Sequence, residues 1–92
     1  MERVQAGMAA ISMAGHDRGH LYLILKLEGD YAYLADGRLR TAERPKKKKL
    51  MHMQVIKSVP EGFRDSIDRE YKNEEIKRIL KSLKMTNSIQ EV

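Results

Sequence analysis

The chain is 92 residues long, enough for one domain with a small core and too short for a deep catalytic cleft. It contains no cysteine, which excludes disulfides, thiolate metal sites and a thiol nucleophile. Its formal charge of +5 comes entirely from residues 1–57, where eleven bases face six acids, while residues 58–92 balance at seven of each.

The first stretch, Val4 to Met13, is small and apolar and reads as a strand, because a glycine-bracketed loop follows it. That loop is Ala14-Gly15-His16-Asp17-Arg18-Gly19. Gly15 and Gly19 permit the positive φ that a reversal needs, and Asp17 is expected to order the loop by accepting from backbone amides. Leu21, Leu23, Leu25 and Leu27 then alternate with Tyr22, Ile24, Lys26 and Glu28. This is the clearest strand in the chain, with its leucine face buried and its other face buried only at the start.

Glu28-Gly29-Asp30 is a turn, and Tyr31 to Ala35 a short strand with both tyrosines on one side. Asp36-Gly37 has the composition of a type I′ hairpin, with Gly37 supplying the left-handed position. The expected return strand, Arg38 to Glu43, puts Arg38, Arg40 and Arg44 on one side, facing water or an anion. Pro45 ends that strand, because proline cannot donate to a ladder. Lys46, Lys47, Lys48 and Lys49 follow as a comb of ammonium groups or a solvated linker. Leu50 to Ile56 reads as a closing strand. Five short strands in some fifty residues predict a small, strongly bent sheet or barrel, since closure hides sheet edges.

Beyond residue 57 the pattern becomes helical. Ser58-Val59-Pro60-Glu61 reads as a helix start, with Phe63, Ile67 and Tyr71 as its apolar stripe. Asn73 reads as the cap of a second helix, with Glu74 and Glu75 in its first turn and Ile76, Ile79, Leu80 and Leu83 as its stripe. The organisation expected is therefore a β-barrel over residues 1–57 and a helical extension over residues 58–92. No segment has the composition of a secretory signal, and no apolar run reaches the about 20 residues a membrane span needs, so a cytoplasmic protein without membrane contact is expected.

The order of these pieces resembles a KOW-motif protein: a strand, a loop with a characteristic glycine (here Gly19) and a second strand. The phrase Ala-Gly-x-Asp-x-Gly, followed downstream by Ala35-Asp36-Gly37, is similar to the large-subunit ribosomal protein group L-fourteen-e. The whole chain resembles the short bacterial KOW-domain RNA-binding proteins related to that group, including the run Pro45 to Leu50 and the helix opening at Asn73. The resemblance implies an SH3-like β-barrel that binds RNA, often ribosomal RNA or the ribosome itself. His16 departs from it, since a basic residue is common at that loop position, and histidine titrates near neutrality.

Charge and resemblance together nominate an RNA-binding face of His16, Arg18, Arg38, Arg40, Arg44 and Lys46 to Lys49, with Gly15, Gly19 and Gly37 as structural turn residues. Tyr31 and Tyr33 are open to base stacking or to a half-buried sheet face. His16, Asp17 and His20 lack the spacing of a metal site, and no phosphate loop or nucleophile constellation is present. No cofactor, small-molecule substrate or enzymatic activity is expected. The competing expectation is a protein-interaction adaptor, using the barrel and the stripe Ile76, Ile79, Leu80 and Leu83 to seek a partner helix.

Overall fold

The computed structural model describes residues 4–56 and 70–87. Its strands are β1 (Ala9–Ser12), β2 (Leu21–Glu28), β3 (Tyr31–Ala35), β4 (Lys46–Lys49) and β5 (Met53–Ile56), and its helix is α1 (Asn73–Asn87). The strands form one antiparallel sheet in the order β4-β3-β2-β1-β5.

This order requires strong curvature. Laid flat, the two edge strands of a five-stranded sheet lie about 19 Å apart. Yet β4 and β5 are joined by a single 3₁₀ turn, Leu50–His52, which advances only about 2 Å per residue. The sheet therefore coils until its edges nearly meet, giving a small barrel-like domain. The inner face holds Met8, Ala10, Tyr22, Ile24, Ala32, Leu34 and Met53.

The outer face of β2 is also buried, because α1 lies on it. Ile76, Ile79, Leu80 and Leu83 pack with Ala9, Leu21, Leu23, Ala35 and Tyr71. The helical stripe is thus used inside this chain, which removes it as a docking surface for a partner helix. Among the described residues, no helix is long and apolar enough to cross a membrane.

β2 does not present one leucine face. Leu23 pairs with Ala35 and Ile24 with Leu34, but the next pair is Lys26 with Tyr33, so Leu25 is the extra residue of a β-bulge. The bulge inverts the alternation after it. Leu25 packs against the helix-side cluster, whereas Leu27 joins Tyr22 and Ile24 inside the barrel. Lys26 and Glu28 are thereby turned outward beside the tyrosines of β3.

Several sequence expectations are corrected. Arg38 to Glu43 is not a strand. The Asp36 carboxylate accepts from the Arg38 and Arg40 amides, both at 2.9 Å, and the Asp36 and Gly37 amides donate to the Arg40 carbonyl. This closed turn takes the backbone groups a ladder would need, and it replaces the two-residue hairpin expected at Asp36-Gly37. Leu39, the one large apolar residue there, is 88% exposed. The fourth strand is instead the lysine run, which is neither a comb of free groups nor a linker. Finally, Asn73 does not cap its own helix: its Oδ1 accepts from the Ala42 amide and its Nδ2 donates to Glu43. Glu75 reaches back to the Lys72 amide in its place. The first and last strands of the chain are also shorter than expected, starting at Ala9 and Met53. The helix expected from Ser58 lies, apart from Tyr71 in its stripe, outside the described residues.

Candidate nucleic-acid interface

A strand made only of lysine must send alternate side chains to opposite faces. Lys46 and Lys48 point inward, and Lys47 and Lys49 outward. The two inward ammonium groups are tolerated because an acid meets them. Asp17 Oδ1 accepts from Lys48 Nζ at 2.9 Å and from Ser12 Oγ at 2.8 Å, and its Oδ2 accepts from Lys46 Nζ at 2.8 Å and Tyr22 OH at 2.7 Å. Lys48 Nζ also donates to Ser12 Oγ and to the Ala14 carbonyl, each at 2.7 Å. The Asp17 side chain is 15% exposed, that of Lys48 11% and that of Lys46 26%.

Burial pushes the Asp17 carboxyl upward, but its donors, first Lys46 and Lys48, outweigh burial and hold it well below the usual carboxylate range. Burial and the bond to that carboxylate raise the Tyr22 hydroxyl above its ordinary value. Asp17 therefore does not order its loop through amides. It fastens the loop to the edge strand β4 through side chains, which fixes His16 and Arg18, both exposed, beside that edge.

On the outer face the same strand is paired residue for residue with β3, Lys47 opposite Tyr33 and Lys49 opposite Tyr31. Lys47 Nζ stands 4.8 Å from the Tyr31 ring centre and 5.7 Å from that of Tyr33. Lys49 is 5.9 Å from Tyr31, and Lys26, brought round by the bulge, is 5.6 Å from Tyr33. The acid beside them is Glu28, 3.6 Å from Lys47, 3.8 Å from Lys26 and bonded by the Tyr33 hydroxyl. Three ammonium groups thus interleave with two half-buried aromatic rings on one surface.

The nine nominated RNA-binding residues divide accordingly. His16 and Arg18 ride on the fastened loop, Arg38 and Arg40 on the Asp36 turn, and Arg44 on the turn closed by its own amide onto Thr41. Lys47 and Lys49 face outward, whereas the ammonium groups of Lys46 and Lys48 are held by Asp17. Within the lysine strand, therefore, the nominated cations are split between the two faces of the sheet. Arg38 and Arg40 are exposed, and Asp36 meets their amides rather than their guanidinium groups. The second carboxylate oxygen of Asp36 bonds His20 Nε2 at 2.6 Å. Burial raises the Asp36 carboxyl, but those amides and His20 hold it below its ordinary value. Gly15, Gly19 and Gly37 all have positive φ.

Sequence reasoning passed over Lys26 as part of the site. Its signal was its place in the strand, but the bulge that aims it depends on the register with β3. No protein-family model matches the sequence, and no curated protein matches it.

Proposed function

We propose that the protein binds RNA, with the outward face of β3 and β4 as its contact surface. The observation carrying this reading is the interleaving of Lys26, Lys47 and Lys49 with the rings of Tyr31 and Tyr33. Lysines neutralise phosphates and release counterions, while aromatic rings at a surface stack unpaired bases at about 1–3 kcal/mol each. The resemblance to KOW-domain proteins supplies the address, ribosomal RNA or the ribosome, and the cytoplasm as compartment. In this reading the protein is a binding module led by phosphates and shape, with modest base specificity. The lysines also guard the edge of β4 against pairing with other strands, a role compatible with RNA contact.

The two halves of the lysine strand should separate experimentally. Lys47→Ala/Lys49→Ala should lower the slope of log affinity against log salt by about 1.4 for single-stranded RNA, from two phosphate contacts at about 0.7 each, with thermal stability nearly unchanged. Lys46→Ala/Lys48→Ala should instead lower stability. An unchanged slope in the outward pair would remove β4 from the interface. Sucrose-gradient sedimentation of tagged protein with ribosomal particles, before and after nuclease, tests the address. Partners that persist after digestion would favour the adaptor instead.

A further inference from the structure

A groove of about 680 Å³ runs between α1 and the turn after β3. Arg38 stands on the turn side, and Lys77, Arg78, Lys81 and Lys84 on the helix side. Two acids border it. Asp36 is engaged by His20 and the Arg38 and Arg40 amides, and Glu74 by Lys77 at 2.6 Å. Five permanent cations against two acids leave the groove strongly positive.

We propose that this groove holds the sugar-phosphate backbone of a second stretch of the RNA bound at the tyrosine face. The inference rests on the RNA-binding reading and extends it with a second contact. The charge is spread too far for one small anion: Lys77, Lys81 and Lys84 follow one helix face at i, i+4 and i+7, covering about 10 Å of axis. Successive phosphates of a single strand suit such a row. The groove and the tyrosine face also lie on either side of the helix contact along β2. His20 and Leu21 border the groove, Leu23 lies under α1, and Lys26 belongs to the tyrosine face. From Leu21 to Lys26 the strand advances about 14 Å, allowing for the bulge at Leu25, a distance that one strand of several nucleotides spans.

The test uses the full chain and a fluorescent single-stranded oligouridylate of about 20 nucleotides, titrated across salt concentrations. Arg38→Ala/Lys81→Ala removes two exposed groove cations, and its salt slope should fall by about 1.4, as in Lys47→Ala/Lys49→Ala. A fall in both variants supports the proposal, whereas a fall in the groove variant alone overturns the two-contact arrangement and leaves the groove as the sole RNA contact. A fall in the sheet variant alone overturns the groove and leaves RNA binding standing. Absence of oligouridylate binding by the wild type overturns both readings. Equally tight binding of polyglutamate overturns the assignment of the groove to RNA in favour of an acidic protein segment. Should the variant unfold, amine acylation of the wild type decides: protection of Lys81 by the oligouridylate supports the groove, and unaltered reactivity overturns it.

Discussion

Replacing Asp17 with alanine should destabilise the protein by about 3 kcal/mol, the low end of what removing one partner of a buried ion pair costs. For a domain of this size that is a fall in melting temperature of roughly 15 °C. The loss comes from what remains rather than from one deleted bond. Lys46 and Lys48 would be left side by side without their carboxylate, and Tyr22 and Ser12 would each lose a hydrogen-bond partner. An unpaired buried charge costs more than the pair had contributed. Lys48→Met should be milder, because it removes one charge, keeps the length of the side chain and leaves Lys46 on Asp17. Urea titrations of the three proteins check the ranking, and an Asp17→Ala protein as stable as the wild type would refute the account of β4.

The pH dependence has a defined sign. Asp17 and Asp36 are both held below their ordinary value of 3.8 in the folded state. A group depressed on folding contributes stability that is present above its unfolded pKa and lost as pH falls through the folded one. Stability should therefore decline below about pH 4, and the Asp17→Ala penalty should be smaller at pH 2 than at pH 7. Tyr22 is raised above its ordinary value of 10.0, so its contribution holds below pH 10 and is lost as pH rises beyond it.

These groups show where sequence reasoning reaches and where it stops. The alternation in Leu21 to Leu27 and the spacing of Ile76, Ile79, Leu80 and Leu83 are local, so a strand and a helix were legible from them. Five strands and a bent sheet followed correctly. The identity of the fourth strand did not, because four consecutive lysines form a strand only when an acceptor lies within reach of the inward pair. That acceptor, Asp17, sits 29 residues before Lys46 in the chain. The bulge at Leu25 is similarly invisible, being a property of the register between two strands. Charge counting misled in a third way. The balance over residues 58–92 conceals that Glu74 and Glu75 occupy the first turn of α1, while Lys77, Arg78, Lys81 and Lys84 follow them along the groove. A net charge of zero is no guide to a surface when opposite charges are segregated along one helix.

Gly37→Ala should have a comparable effect through the backbone, costing about 2–4 kcal/mol. Gly37 has φ +82°, where a Cβ costs about 1–2 kcal/mol by itself. The added carbon would also lie 2.5 Å from the Asn73 carbonyl oxygen and 2.9 Å from Lys77 Cγ. Lys77 can swing aside, but Asn73 is helix backbone and is tied through its side chain to Ala42 and Glu43. Relief therefore requires the first turn of α1 to lift from the Asp36 turn. Lifting it pulls Ile76, then Ile79, away from Leu21 and Leu23, and each such side chain contributes about 2 kcal/mol when fully buried. Gly29→Ala is the matched control, with φ +58° and nothing within 4 Å of the added carbon, so it should show only the backbone cost. Urea midpoints should rank wild type, Gly29→Ala and Gly37→Ala in falling order, with far-UV helical signal lost first in Gly37→Ala. Equal midpoints for the two variants would mean that α1 is not held against the turn at Gly37. The groove would then lose the wall that carries four of its five cations.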